Sequence, residues 1–311
     1  NGTAVIDVTD PQNPSEVGTV PGLQTVWRDI KVYQFRDEAA GRWKAYAYVT
    51  ADAVNQGFQD IDLTGLPSSV SLAATINDFA SAHNIYMATV EYGTGVPLPG
   101  QQAFAYILGS NLQNGAFRIL DLSDPVAPTL ATAPPLGTGY VHDATSVLID
   151  DARASDCAAG HDPCELLIDY NENTVDFWDV TDKSSPLKLS SLSYPNASYT
   201  HSGWWSKDKR FVYVQDELDE KNRALNTRLV VLDTLFADDL QNPRWLYQLP
   251  GGDVLVAESK APEGSSPGRP ASQRRSATPD LGQGLAQVRR RDVLRSMEAP
   301  CRLTLAILAA P

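Results

Sequence analysis

Three of the four histidines recur at a fixed spacing along the chain. His83, His142 and His201 follow one another at intervals of 59 residues, and Arg28 lies 55 residues before His83. The residues that come next all carry a side-chain oxygen: Asp29, Asn84, Asp143 and Ser202. Imidazoles and carboxylates are ligands of divalent cations, and imidazole also carries protons near neutral pH. We therefore expect these side chains to share one place in the fold.

Each of these residues opens an apolar run rich in β-branched residues, such as His142-Asp-Ala-Thr-Ser-Val-Leu-Ile149, which predicts a buried strand. A second strand follows each run and ends in a polar turn. In antiparallel neighbours, the start of one strand lies beside the end of the other, so both sets of side chains meet at one rim. The candidate ligand- or metal-binding residues at this rim are Arg28, Asp29, His83, His142, Asp143, Glu172, His201, Asp216 and Glu217.

The sequence leaves three interpretations of this rim open. A ring of imidazoles and carboxylates suits a divalent cation, either calcium or a transition metal, or a small cationic ligand. A histidine at a strand start is also suited to donating one N–H to a neighbouring unit, which is a purely structural role. Direct catalysis has the least support, because the sequence pairs no clear general base with a nucleophile.

A motif that contains a shared aspartate indicates the architecture. The segment Ile119-Leu-Asp-Leu-Ser-Asp-Pro125 is repeated closely at residues 5–11, 61–64 and 177–182 and loosely at residues 230–234. A period of 54 to 59 residues is typical of stacked supersecondary units. We expect the shared aspartate to accept backbone N–H bonds at a strand end rather than to take part in catalysis. The shared positions are Asp7, Asp62, Asp121, Asp179 and Asp233.

Each repeat accommodates four short strands, with no helical period between repeats. This pattern predicts an all-β fold, a β-propeller whose four-stranded blades pack face to face around an axis. The predicted blades span residues 25–76, 82–134, 141–195 and 200–250, after a partial blade at residues 1–20. About four and a half blades make an incomplete ring, as expected for a processed or truncated fragment. Residues 253–311 are expected to form a disordered tail whose composition is foreign to the propeller.

Two cysteines and two glycosylation sequons indicate the compartment. Cys157 and Cys164 enclose a six-residue polar loop, which predicts a disulfide and an oxidising environment. A metal pair that includes His161 is the alternative, although no fourth ligand is nearby in the sequence. The sequons begin at Asn1 and Asn196, and both predict glycosylation of a secreted chain.

The composition restricts the classes of partner. The net charge of −13 argues against nucleic acid and anionic membranes, because both repel an acidic protein. No apolar run reaches the length of about 18 residues that a membrane-spanning helix requires. Proteins and small cationic ligands remain as the expected partners.

Several motifs together resemble one family of repeat proteins. They are Asn1-Gly-Thr-Ala-Val-Ile-Asp-Val-Thr-Asp-Pro-Gln-Asn-Pro14, Thr25-Val-Trp-Arg-Asp-Ile-Lys-Val-Tyr33, Ala82-His-Asn84, Tyr140-Val-His-Asp143, Thr200-His-Ser-Gly-Trp204 and Asp216-Glu-Leu-Asp-Glu220. Over about residues 1–250 the chain resembles the LVIVD-repeat β-propellers, and more narrowly the secreted choice-of-anchor B proteins. The resemblance implies an extracellular or cell-surface propeller and no established reaction.

The expected function is that of a secreted or cell-surface binding module without catalytic activity. The alternative is a metal-assisted hydrolase or lactonase that uses the histidine- and carboxylate-lined mouth of the propeller, because such enzymes require a bound ion with an open coordination position. The cofactor is unknown on the first interpretation and is a divalent cation on the second.

Overall fold

A computed structural model describes residues 1–132, 139–226 and 228–233, together with the backbone of three further strands. The strands are β1 (Gly2–Asp7), β2 (Ser15–Pro21), β3 (Ile30–Asp37), β4 (Arg42–Val49), β5 (Phe58–Asp62), β6 (Ser71–Ile76), β7 (Asn84–Ala88), β8 (Val90–Glu91), β9 (Val96–Pro97), β10 (Phe104–Leu108), β11 (Arg118–Asp121), β12 (Thr129–Thr132), β13 (Asp143–Ile149), β14 (Cys164–Tyr170), β15 (Val175–Asp179), β16 (Leu187–Leu192), β17 (Thr200–Trp205), β18 (Phe211–Asp216), β19 (Leu229–Asp233), β20 (Arg244–Gln248), β21 (Val254–Glu258) and β22 (Ile307–Ala310). A single short helix, α1 (Asp219–Arg223), is found in the described part of the chain, beside two 3₁₀ turns at Gln113–Gly115 and Ala152–Asp156.

The strands form antiparallel sheets that correspond to propeller blades, so the predicted all-β propeller fold is confirmed. Blade 2 is β3-β4-β5-β6, blade 3 is β7-β10-β11-β12 and blade 4 is β13-β14-β15-β16, each a meander in chain order. Blade 5 is β17-β18-β19-β20 with β21 added at its outer edge, and blade 1 is β1-β2 with β22 on the other side of β1. Two segments of the predicted tail are therefore strands, and the rest of residues 253–311 lies outside the described residues.

Apolar side chains fill the space between successive blades. Tyr48 and Phe58 of blade 2 pack in one cluster with Ile85 and Ile107 of blade 3, and similar clusters join blades 1 and 2, blades 3 and 4, and blades 4 and 5. Both faces of a middle blade are covered, which explains why β14 is buried at every position. Full burial of each large apolar side chain contributes about 1.5–3 kcal/mol, so these inter-blade clusters are the main stabilising feature of the fold.

The hairpin formed by β8 and β9 crosses from blade 3 towards two other blades. The backbone N–H of Gln34 in blade 2 donates to the carbonyl oxygen of Gly95 at 2.9 Å. On the other side, the ring of Tyr92 packs edge-on against Trp204 of blade 5, with centroids 4.5 Å apart. The hairpin follows the end of β7, so it lies at the end of the inner strands opposite the histidines.

The repeated aspartate is a strand-end hydrogen-bonding device, as predicted. Asp7, Asp62, Asp121 and Asp179 each accept the backbone N–H of the residue two positions later, at 2.7–3.0 Å. A β-bulge precedes the aspartate in each of these four strands, at the same place in the repeat. The bulge and the turn together redirect the chain from the third strand into the fourth.

The predicted disulfide is confirmed by the bond between Cys157 and Cys164. Cys164 is the first residue of β14 and is fully buried, whereas Cys157 follows the second 3₁₀ turn and is half-buried. Both sulfur atoms are used in this bond, and His161 contacts the buried carboxylate of Asp179 at 2.6 Å from its Nδ1 atom. Within the residues described above, no helix has the length and apolarity needed to cross a membrane.

Candidate functional site

The starts of the inner strands bring four aromatic rings together at one rim. The ring of Trp27 stacks on His83 at 5.4 Å between centroids. His83 lies 4.4 Å from His142, and His142 lies 4.2 Å from His201. These four residues, here termed the ring column, come from blades 2, 3, 4 and 5 in that order, so the column follows the blades around the axis.

A relay of hydrogen bonds accompanies the ring column from blade to blade. Trp27 Nε1 donates to Asn84 Oδ1 at 3.0 Å, and Asn84 Nδ2 donates to the carbonyl oxygen of His142 at 3.0 Å. His142 Nδ1 then donates to the carbonyl oxygen of His201 at 2.9 Å. Each bond joins one blade to the next, which is the structural role that the sequence left open for the histidines.

His142 is the buried centre of the column. Its side chain is 4 % exposed, and burial, followed by the charges of His83 and His201, lowers its pKa to about 4. The residue is therefore neutral at physiological pH. Because Nδ1 carries the donated proton, Nε2 holds the lone pair and is the atom of His142 that is free to accept a proton or a ligand.

The two outer histidines each lie beside a carboxylate from the end of a second strand. His83 Nδ1 is 3.0 Å from Asp52 Oδ2, and His201 Nε2 is 3.9 Å from Glu217 Oε2. Burial lowers the pKa of His201, although Glu217 acts in the opposite direction. The half-exposed Glu217 and the partly exposed Asp52 keep negative charge at the rim, where solvent and ligands have access.

A β-bulge orients His201. Thr200 pairs with Asp216 and Ser202 pairs with Gln215, so His201 has no partner in the ladder. A bulge releases a side chain from the alternation of the sheet, and bulges are common beside functional sites. His201 Nδ1 contacts the hydroxyl of Ser202 at 3.1 Å, so its ring is held from within its own strand.

Asp216 has a structural role. It positions the loop that precedes His201, the last residue of the ring column. Its carboxylate is buried and accepts hydrogen bonds from the Tyr194 hydroxyl, from the backbone N–H groups of Ser198 and Tyr199, and from the N–H of Leu218. These four bonds occupy both carboxylate oxygens, and the aspartate is therefore a structural anchor of the segment that leads into β17.

Glu172 and two tyrosines border the ring column on its other side. Tyr140 lies 6.4 Å and Tyr199 lies 5.3 Å from His142 between ring centroids. Burial raises the pKa of Tyr140 to about 12, with further contributions from Asp52 and Glu172. Burial and a hydrogen bond to Glu172 also raise the pKa of Tyr199. The ring column together with Asp52, Tyr140, Glu172, Tyr199 and Glu217 is termed the mouth below.

The remaining predicted residues lie outside the mouth. Arg28 donates to the carbonyl oxygen of Leu23 and, at 3.1 Å, to Gln56, which are not members of the mouth. Asp29 forms an ion pair with Lys31 at 2.6 Å. Asp143 accepts the backbone N–H of Ala144 at 2.8 Å, and burial raises the pKa of this aspartate to about 7.

In blade 2 the column member is Trp27, one residue before the Arg28 predicted from the spacing. The ring of Trp27 stacks on His83, whereas the guanidinium of Arg28 donates to Leu23 and Gln56. Trp27, Tyr140 and Tyr199 were not predicted from the sequence. Each of them lies one or two residues before an arginine or histidine of the repeated column, which was the available signal.

A cleft of about 390 Å³ opens beside the mouth, between blades 3 and 4. Tyr140 and Glu172 border it, and Asn114, Asn171 and Lys188 line its other sides. The amide and carboxylate groups along the cleft are largely engaged with one another, as shown by Asn171 Oδ1, which accepts the backbone N–H of Thr174 at 2.9 Å. The cleft extends the polar surface of the mouth towards the outer strands of blade 4.

The mouth combines aromatic rings with carboxylates, and its described residues do not present a compact set of three metal ligands. Among residues 1–132, 139–226 and 228–233, the single group of three side chains with ligand atoms within 4.8 Å of one another is Cys157, Cys164 and Asp179. The predicted divalent cation at the mouth stays a prediction. Asn1 and Asn196 are both exposed, as glycosylation requires, and their modification also stays a prediction.

The comparisons with known proteins concern the fold only. No protein-family model matches the chain, and no curated protein matches it. Among solved structures, the chain is similar to the β-propeller domain of Cps50 (Swd1) from Myceliophteria thermophila, with a TM-score of 0.35 and 10 % sequence identity over 79 % of this chain and 78 % of that one. The assignment to the propeller class is based on the sheet topology described above.

Proposed function

We propose that the protein is a binding module that holds a cationic side chain of a partner protein in its mouth. One observation carries the proposal: a stack of four aromatic rings, Trp27, His83, His142 and His201, lies beside the carboxylates Asp52 and Glu217. Aromatic faces attract cations, and neighbouring carboxylates add charge complementarity. A β-propeller rim is also suited to contacting a protein surface, because the turns of all blades meet there.

The electrostatics of the mouth favour a cation over an anion. The lowered pKa values of His142 and His201 keep these two rings neutral at pH 7, so they do not offset the negative charge of Asp52, Glu172 and Glu217. Trp27, which is 45 % exposed, offers the indole ring, the best of the aromatic faces for a cation. A cation–π contact of this kind contributes about 0.5–2 kcal/mol.

We further propose an extracellular or cell-surface location and membership in the LVIVD-repeat, choice-of-anchor B group. The disulfide between Cys157 and Cys164 supports the location, because such bonds persist in oxidising compartments. The exposed sequons at Asn1 and Asn196 are consistent with it. The five repeats of the aspartate motif support the family assignment.

A metal-assisted hydrolase or lactonase is the second candidate, and one observation favours it. The tautomer of His142 leaves Nε2 as an acceptor between His83 and His201, and a small rearrangement of these rings towards one ion would form a three-histidine site of the kind found in zinc enzymes. Metal content of the full chain with its disulfide intact, prepared without chelators, separates the two candidates, since only the hydrolase requires a bound ion at the mouth.

The binding proposal is tested with arrays of peptides that contain lysine, methylated lysine or arginine, followed by calorimetric titration of the peptides that bind. We expect the affinity to fall about tenfold in Glu217→Gln and in Asp52→Asn, which corresponds to about 1.4 kcal/mol for one lost charge contact. Glu38→Gln is the matched control, because Glu38 is exposed in the turn between β3 and β4 at the opposite end of the blade. Equal losses in all three variants would contradict a site at the mouth.

A further inference from the structure

A second cluster of metal-ligating side chains lies away from the mouth, at the loop closed by the disulfide. The ligand atoms of Cys157, Cys164 and Asp179 all lie within 4.8 Å of one another. His161 comes from the same loop, and its Nδ1 atom is 2.6 Å from Asp179 Oδ2. Blade 4 thus brings two sulfurs and one carboxylate together, with the imidazole of His161 beside that carboxylate.

The sheet holds two of these four groups in place. Cys164 opens β14 and pairs with Ile149 of β13. Asp179 ends β15, is 1 % exposed, and accepts the backbone N–H groups of Ala158 at 2.9 Å and Thr181 at 3.0 Å. The sulfur of Cys164 and the carboxylate of Asp179 are therefore held in place by the sheet.

The other two groups are on a segment that has room to move. Ala159 and Gly160 are exposed, and a side chain added at Gly160 would meet no other atom within 4 Å. In a tetrahedral zinc site, Zn–S bonds of about 2.3 Å place two sulfurs about 3.8 Å apart. Two sulfurs bound to one ion lie further apart than two bonded sulfurs, so metal binding requires Cys157, on the loop, to move relative to Cys164 in the sheet.

We propose that this cluster is a redox-controlled zinc site. In the oxidised protein the two cysteines form the disulfide. A dithiol reductant transfers two electrons and two protons to it, so that the S–S bond breaks, two thiols form on the protein and the reductant becomes a cyclic disulfide. Zn²⁺ then displaces the two thiol protons and binds Cys157, Cys164, Asp179 and His161. The loop is closed by a covalent bond in an oxidising compartment and by a metal ion in a reducing one.

The test uses the full chain with Cys301→Ser, so that only the two loop cysteines contain sulfur that can be reduced. The disulfide is opened anaerobically with tris(2-carboxyethyl)phosphine, which takes up the oxygen of water as the two thiols form. Co²⁺ is then titrated as a spectroscopic substitute for zinc. We expect one ion per chain, a thiolate-to-cobalt charge-transfer band, the visible bands of tetrahedral cobalt, and displacement by Zn²⁺ with release of two protons. The oxidised protein should show none of these signals.

Variants assign the ligands. Cys157→Ser should weaken the charge-transfer band by half, and Asp179→Asn and His161→Ala should each weaken zinc binding by about tenfold or more. Asp182→Asn is the matched control, because it removes a nearby exposed carboxylate that is bonded to Ser184 instead. Circular dichroism of each variant tests its folding, and His161→Ala remains informative if Asp179→Asn does not fold. An absence of tetrahedral cobalt bands in the reduced protein, or unchanged affinity in Cys157→Ser and His161→Ala, would overturn the proposal.

Discussion

His142 in blade 4 donates its Nδ1 proton to the carbonyl oxygen of His201 in blade 5, at 2.9 Å. The bond fixes the tautomer of His142 and joins two blades at the centre of the mouth. It also continues a relay that begins at Trp27 in blade 2 and passes through Asn84 in blade 3. The same ring therefore has a structural role through Nδ1 and a potential ligand-binding role through Nε2.

His142→Ala should destabilise the protein. The substitution removes a buried ring and leaves the carbonyl oxygen of His201 without its inter-blade donor, which together cost about 2–4 kcal/mol. Urea unfolding at pH 7 measures this loss, and His142→Gln, which keeps a donor, should lose less. Identical unfolding midpoints for the wild type and His142→Ala would show that the relay does not stabilise the ring of blades.

The lowered pKa of His142 predicts a pH-dependent difference between the wild type and His142→Gln. Between its ordinary pKa of 6.5 and its value of about 4 in the folded protein, the unfolded chain binds more protons than the native one. The contribution of His142 is therefore complete above pH 6.5 and is lost as the pH falls towards 4. The stability advantage of the wild type should shrink by about 3 kcal/mol over this range. If the free energies of unfolding of the two proteins change in parallel with pH, His142 has an ordinary pKa in the folded protein.

Asp60 predicts a pH dependence of the opposite sign. It occupies a core position of the repeat that holds Ile119 in blade 3 and Phe177 in blade 4. It is fully buried, and neither of its carboxylate oxygens has a hydrogen-bond partner among the described residues. Burial, followed by the charges of Asp62 and Asp124, raises its pKa to about 8. The native state therefore binds the extra proton.

Asp60→Asn should accordingly gain stability relative to the wild type as the pH rises from 4 to 8. The gain reaches at most about 1.4 kcal/mol per pH unit, because one proton is involved. Urea unfolding of the two proteins at pH 5 and at pH 8.5 measures it. A difference that stays constant between these two pH values would mean that the carboxylate is ionised in the folded protein at both.

Removal of the disulfide should lower the stability of the oxidised protein. Closing the short loop from Cys157 to Cys164 restricts the unfolded chain by about 2–3 kcal/mol. Cys164→Ser should lose this amount in urea unfolding without reductant, whereas Cys301→Ser, the control, should not. In the presence of reductant and a chelator, the wild type should fall to the stability of Cys164→Ser; a persistent difference would show that packing of the buried sulfur, and not the bond, is responsible.

Much of the fold was predictable because its determinants are local and repeated. The aspartate motif recurs with the same strand end, the same bulge and the same turn, so one correctly interpreted repeat describes the others. The disulfide was predictable for a similar reason, since its two cysteines share one short loop. The meeting of the inner-strand starts and the second-strand ends at one rim was predictable from antiparallel pairing alone.

The details of the mouth depended on contacts between distant residues. Arg28 occupies the histidine spacing in the sequence, but its guanidinium donates to Leu23 and Gln56, and the ring of Trp27 stacks on His83 instead. The bulge at His201 depends on how β17 meets β18. Asp216 is as acidic as Glu217 in the sequence, yet four local hydrogen bonds remove it from the site. These differences arise from contacts that the repeat spacing does not encode.

The preference of the mouth for a cation is tested most directly by comparing choline with 3,3-dimethylbutan-1-ol, which has the same shape and no charge. The reporter is the indole N–H resonance of Trp27, assigned with Trp27→Phe, because Trp27 belongs to the ring column and its N–H donates to Asn84. Choline should shift the resonance saturably with a Kd of about 1 mM, the neutral alcohol should not, and Glu217→Gln should weaken the response. Equal responses to both compounds, or none to choline, would contradict a cation-binding mouth.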